Sequence, residues 1–148
     1  MRKTYVLIAA ALLLAGCGHQ EQAQQSQSDQ SFESQLEQQL IDAKPGSVID
    51  IPAGHYSLKR GLSLRTDGVT IRGAGMDKTV LSFKDQVVGP EGLLVNANDF
   101  TIENLAIEDT MGDALKINQG KNITIHGVRV AWTDGPKSTN GAYGLYPV

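Results

Sequence analysis

The side chains best suited to chemistry gather between Asp109 and Asp134, where Asp113, His126, Arg129 and Trp132 stand out among polar neighbours. A carboxylate, an imidazole and a guanidinium brought onto one surface could bind an anionic or hydroxyl-rich ligand. The indole of Trp132 and the phenols of Tyr143 and Tyr146 offer apolar faces with polar edges, which suit sugar rings. Asp113, His126, Arg129 and Trp132 are therefore the candidate substrate-binding residues, and no residue is assigned a catalytic role. Each has a plainer reading. Asp113 ahead of a strand can cap a turn. A charge on a strand's outer face can be one rung of a solvated ladder, worth about a few tenths of a kcal/mol. An aromatic ring can pack on a loop.

What positions these residues is a repeat. Phe100-Thr101-Ile102-Glu103-Asn104-Leu105-Ala106-Ile107 returns 23 positions later as Ile123-Thr124-Ile125-His126-Gly127-Val128-Arg129-Val130, and Val69-Thr70-Ile71-Arg72-Gly73 is an earlier copy. Three apolar columns follow: Leu64, Leu94, Ile117 and Leu145; Val69, Phe100 and Ile123; Ile71, Ile102 and Ile125. Inside each copy apolar and polar residues alternate, the period of a strand with one face inward. The runs are short, rich in Val, Ile and Thr, and broken by Gly and Asn. No amphipathic helix of ten residues lies between Val48 and Val148, so the connections between equivalent strands are themselves strands and turns.

A repeat in the low twenties with this composition predicts a coil of about three short strands stacked at about 4.8 Å, a parallel β-helix. The leucine-rich repeat shares the period but needs an L-x-x-L-x-L run that this chain lacks. A β-sandwich need not repeat its turns. Alternation turns Thr70, Arg72, Thr101, Glu103, Lys116, Thr124, His126 and Arg129 outward, with Arg72, Glu103 and His126 in one column. Asn96, Asn98, Asn104, Asn118, Asn122 and Asn140 fall at strand ends, as turn residues and stacked amide ladders would. Gly73-Ala74-Gly75 is a turn with no helix behind it, so it is not a phosphate loop.

The runs from Lys44 to Tyr56 and from Val69 to Leu81 resemble the opening coils of right-handed parallel β-helix proteins of the pectin-lyase-like superfamily, over about Phe32 to Val148. That family includes polysaccharide lyases, glycoside hydrolases, epimerases and adhesins, so the resemblance implies a fold and no single reaction. The stretch from Asp109 to Gly135 is similar to pectate-lyase-like segments in which an Asp precedes a strand and a histidine ends the next. There, carboxylates hold Ca²⁺ against a uronate and an Arg removes a proton. The resemblance implies that Asp109, Asp113 and Asp134 could supply two or three oxygen ligands to Ca²⁺. No second Arg stands near Arg129 in Arg-x-Pro-x-x-Arg spacing, and no tight Asp trio is present. No catalytic role carries over.

The front of the chain is an address. Met1-Arg2-Lys3 is basic, Tyr5 to Leu14 is apolar and too short to span a bilayer comfortably, and Leu14-Ala15-Gly16-Cys17 closes the run. This resembles the lipobox of bacterial lipoproteins, which implies cleavage of residues 1–16, lipid on the sulfur of Cys17, acylation of the new amino terminus, and delivery to the outer membrane, since Gly18 follows. Cys17 is the single cysteine, so no disulfide forms within the chain. Lys and Arg number 13 against 16 Asp and Glu; losing Arg2 and Lys3 leaves 11 against 16, a formal charge of −5, which argues against nucleic acid as a partner. Residues 17–31 read as a flexible Gln- and Ser-rich tether. Phe32, Leu36 and Leu40 mark one stripe of a short helix capped by Ser31 and stopped by Pro45-Gly46, a lid for the first coil. Val148 falls within a coil, so the reading expects further coils beyond it. The expected function is an envelope-tethered domain that binds or modifies acidic polysaccharide; the alternative is a non-catalytic scaffold for envelope proteins.

Overall fold

The computed structural model describes residues 17–148. One helix, α1 (Cys17–Asp42), precedes ten strands: β1 (Val48–Asp50), β2 (Gly54–Ser57), β3 (Arg60–Leu64), β4 (Thr70–Arg72), β5 (Thr79–Ser82), β6 (Val88–Asn96), β7 (Thr101–Glu108), β8 (Leu115–Gln119), β9 (Thr124–Ala131) and β10 (Leu145–Pro147). All the strand pairs are parallel, and each joins one coil to the next. The first face stacks β1, β4 and the leading halves of β7 and β9; the second stacks β2, β5 and their trailing halves; the third stacks β3, β6, β8 and β10. The result is a parallel β-solenoid of about three turns, as the repeat predicts.

The dry interior is a set of aligned columns. Ile49, Ile71, Ile102 and Ile125 are register partners on four successive strands, and Ile102 is fully buried. Tyr56, Leu81, Ile107 and Val130 form the matching column on the second face. Each fully buried aliphatic side chain of this kind contributes about 1.5–3 kcal/mol. On the third face one predicted column shifts. Val95, not Leu94, partners Leu64 and Ile117, and Leu94 faces out beside Ser63 and Lys116. Leu145 aligns with Leu115 rather than with Ile117. For Leu94 the cause is local: the register slips after Val95, where Asn96 pairs with Gln119, so the coil containing β8 holds one residue more than its neighbour.

Turns repeat as faithfully as strands. Two residues before each first-face strand the chain takes a left-handed conformation, at Gly46, Gly68, Asp99 and Asn122, with φ of 85°, 71°, 53° and 56°. Gly, Asp and Asn are the types that tolerate it. The polar side chains of this corner form ladders. Asn98 donates its backbone N–H and its amide to Asp67, Asn122 Nδ2 donates to Asp99 Oδ1 at 2.8 Å, and Asn118 Nδ2 donates to Asn96 Oδ1 at 3.1 Å. These bonds hold the Asp67 carboxyl below the usual range, the backbone bond from Asn98 being the largest cause.

The helix closes the first coil, but it is longer than the sequence suggested. It takes in the tract read as a tether, and Ser31 lies inside it, donating its hydroxyl to the Ser28 carbonyl rather than capping. Propagating a helix costs little once part of it is held, and Leu36 and Leu40 are both buried against the core. The segment is rich in Gln, a good helix former, and adds a Gln25–Asp29 bond one turn apart. Phe32 stacks on Tyr56, with ring centroids 3.7 Å apart. The buried Glu33 does the closing. Its Oε1 accepts both the Lys59 and Arg60 N–H groups at 2.7 Å, two donors on the outer edge of the first coil. Residues 1–16, which carry the export-signal reading, lie outside the described residues.

Two outcomes follow from this edge and this corner. Glu33→Ala strips the two part-buried amides of Lys59 and Arg60 of a charged acceptor and should lower unfolding free energy by about 1.5–3 kcal/mol, with Glu33→Gln losing less; equal denaturation midpoints for Glu33→Ala and the parent would disprove the capping role. Because the folded Asp67 pKa lies below its unfolded value, its stabilisation is present above the ordinary Asp range and fades as pH falls through the folded value. Asp67→Asn should thus be less stable than the parent near neutrality, with the gap closing in acid; a gap that is constant with pH in urea titrations contradicts it.

Candidate functional site

The connections between the second and third faces grow along the solenoid. They span residues 58–59, 83–87, 109–114 and 132–144 in successive coils, lengthening from 2 to 5, 6 and 13 residues. The corner between the third and first faces shows no such growth. Long connections carried by a rigid scaffold are where binding groups usually sit, and this corner holds most of the chemistry.

At the corner, Lys84, Asp109, Thr110, Met111, Trp132, Asp134, Lys137, Thr139 and Asn140 surround a recess of about 220 Å³. The Trp132 indole N–H donates to the Thr110 carbonyl at 2.9 Å, which fixes the ring on the wall. Asp109, itself left-handed with φ 56°, accepts the Thr133 N–H and hydroxyl at 2.6 and 2.7 Å and so ties two coils together. Lys84 Nζ lies 3.0 Å from Asp134 Oδ1, and Lys137 Nζ lies 3.2 Å from Oδ2. Hydrogen bonds from these two ammoniums, Lys84 first, hold the Asp134 carboxyl below its usual range, and Asp134 raises the Lys84 pKa in turn.

Beyond the loop, the outer third face carries a second group. Lys116 Nζ sits 3.4 Å from Glu91 Oε1 and 3.9 Å from Asp113 Oδ2, and 5.6 Å from the centroid of the Tyr146 ring. Tyr143 stacks on Tyr146 with centroids 4.6 Å apart and is itself exposed. Buried Gln86 sets the approach of Glu91: its Nε2 donates to the Gly89 and Glu91 carbonyls while its Oε1 accepts the Met111 N–H. Gly112 is required here, because a Cβ would run into the Pro90 carbonyl oxygen.

The four candidate binding residues are spread over different faces. Asp113 leads into the third face beside Lys116. His126 is exposed on the first face as the register partner of Glu103. Arg129 lies on the second face, where Nη1 meets the largely buried Glu108 carboxylate at 2.6 Å and Nη2 donates to the Met76 carbonyl at 3.3 Å. Trp132 is at the corner. Among the described residues no hydrogen bond or ion pair joins any two of the four.

The predicted column of Arg72, Glu103 and His126 is present in register, and Asp50 extends it. Arg72 bonds Asp50 through Nε at 2.7 Å and Nη2 at 3.2 Å, with Glu103 4.0 Å from Nη1. It is a ladder of opposite charges on neighbouring strands. As for Ca²⁺, Asp109 is engaged by Thr133, Asp113 by Lys116 and Asp134 by two lysines, so the three do not converge. Among the described residues no group of three or more His, Cys, Asp or Glu is placed to hold a metal ion.

Sequence reasoning missed Lys84, Lys137 and Glu91. Lys84 lies 50 residues before Asp134. Its one available signal was the alignment of Ser82 with Glu108, which puts the following residues at the same corner. Compared with family models, curated proteins and solved structures, the chain matches none of them.

The chain has a single tryptophan, so tryptophan emission, excited selectively over the tyrosines, reports on this recess alone. Trp132→Phe should abolish tryptophan emission and, by removing the bond to Thr110, lower the denaturation midpoint modestly; an unchanged midpoint would show that the indole N–H does not hold the wall.

Proposed function

We propose that this protein is a lipid-anchored envelope solenoid of the pectin-lyase-like kind that binds acidic polysaccharide at the corner recess. The observation that carries the reading is the convergence of Lys84 and Lys137, from loops two coils apart, beside an indole wall and the polar side chains of Thr139 and Asn140. Two ammoniums answer a uronate carboxylate, a ring face answers the sugar, and amide and hydroxyl groups answer its hydroxyls. Tyr143, at the far end of the same loop, extends the surface for a chain longer than one sugar.

Binding is favoured over modification by how the charged groups are used. Acid–base chemistry needs a carboxylate or imidazole free to meet the substrate. At this corner Asp109, Asp113, Asp134 and Glu91 each serve an internal partner. The anchor rests on the motif ending at Cys17. Among the described residues no helix is long and apolar enough to cross a membrane.

The test is a fluorescence titration of the purified protein with oligogalacturonate and oligomannuronate, beside neutral xylo- and cello-oligosaccharides. A saturable, salt-sensitive change with the acidic sugars only, weakened about tenfold or more by Lys84→Gln with Lys137→Gln, supports the reading. A flat response to all four overturns it in favour of a scaffold role. For the anchor, Cys17→Ser expressed in a Gram-negative host should end palmitate incorporation and shift the protein from membrane to soluble fractions; continued membrane association would refute it.

A further inference from the structure

We infer that Asp134 is a resident substitute for the ligand's carboxylate: it bridges Lys84 and Lys137 when the recess is empty, and a carboxylated sugar displaces it. This rests on the polysaccharide reading of the recess. The two ammoniums come from separate coils, yet each meets a different oxygen of the same carboxylate, at 3.0 and 3.2 Å. Their convergence is thus a product of the fold. An oxygen-for-oxygen replacement by an external carboxylate keeps both charge-assisted bonds.

The surrounding loop favours a side-chain swing over a movement of the backbone. Asn140 Nδ2 donates to the Gly135 carbonyl at 2.9 Å, and the Asn140 N–H donates to the Lys137 carbonyl at 3.1 Å, so the segment is closed on itself. Asp134 and both lysines are about half exposed, which leaves the carboxylate room to turn into solvent. Of the other acids near Lys84, Asp109 accepts from Thr133 and Asp85 accepts from the Ser57 hydroxyl at 3.1 Å; both raise the Lys84 pKa through their charge, but neither forms an ion pair with it.

Exchange has a consequence for selectivity. A neutral sugar gains nothing from displacing Asp134, since both ammoniums would lose their partner. A uronate loses nothing. The internal carboxylate therefore competes with acidic ligands and lowers their affinity, leaves neutral sugars without the carboxylate needed to displace it, and offsets the field of the lysines towards stray small anions.

Asp134→Asn removes the competitor and keeps the side chain's shape. Exposed ion pairs contribute modestly, so affinity for oligogalacturonate should rise about five- to tenfold, while xylo-oligosaccharide binding stays unchanged. Equal or weaker oligogalacturonate binding by Asp134→Asn, when the parent binds, overturns the inference while leaving the polysaccharide reading intact. A second arm does not depend on polysaccharide: acetate titrations followed by NMR of the Lys84 and Lys137 ammonium groups. Asp134→Asn should respond to acetate at several-fold lower concentration than the parent. Identical acetate responses overturn the inference even if no oligosaccharide binds. Asp134→Ala, with the same expected direction, guards against an effect of the asparagine amide itself, and a thermal melt of each variant checks that the loop's exposed position keeps it folded.

Discussion

Stacking in register is the constraint on which the rest of this molecule depends. A parallel pair leaves no freedom in which residue lies above which, so every coil must return its chain to the same three faces at the same phase. Ile49, Ile71, Ile102 and Ile125 meet only because the corner before them turns through the same left-handed residue each time, at Gly46, Gly68, Asp99 and Asn122. Most residues that a coil holds in excess cannot enter the stack, the one at the Asn96–Gln119 slip excepted. They leave it as loops, and here they leave chiefly at one corner, where connections lengthen from 2 to 13 residues. The scaffold's regularity and the site's irregularity have one origin.

Charge is distributed in keeping with that division. On the first face Asp50, Arg72 and Glu103 alternate in sign along the axis, Asp50 and Arg72 exposed and Glu103 half-buried, each beside its opposite. On the second face Arg129 lies across the outer surface to reach Glu108 and the Met76 carbonyl, linking three coils with one side chain. At the corner the pairs join loops rather than strands: Lys84 and Lys137 to Asp134, Asp109 to Thr133. An exposed pair between neighbouring strands has little to yield, whereas the exchange we propose draws on pairs among loop residues at the rim of the recess.

Much of the scaffold was legible because it obeys alternation. The isoleucine column, the outward Arg72, Glu103 and His126, and the asparagines of the turns all follow from period two and from left-handed tolerance. The column through Leu94 failed for a definite reason. Its coil and the next differ by one residue at the Asn96–Gln119 slip, and counting from Phe100 and Ile123 back across that slip moves a side chain to the opposite face. The helix runs past its apolar stripe because residues 24–31, almost all exposed, continue a helix that Leu36, Leu40 and Glu33 already hold. The candidate site was the least legible part. Asp113, His126, Arg129 and Trp132 are near in sequence but occupy different faces, while Lys84 and Asp134 are distant in sequence and touch. The bend of β9 at Gly127 parts His126 from Arg129, and loop length, which alternation does not encode, brings Lys84 to Asp134.

Glu33 has an effect that reaches beyond a single molecule. The rim it covers would otherwise present donors at strand spacing, the kind of margin on which a second polypeptide can template its own backbone. By setting a carboxylate where an incoming chain's carbonyls would need to be, α1 makes that margin chemically complete and electrostatically unwelcoming. A protein whose architecture is repetition thereby prevents the repetition from running on, at that end, from one copy into another.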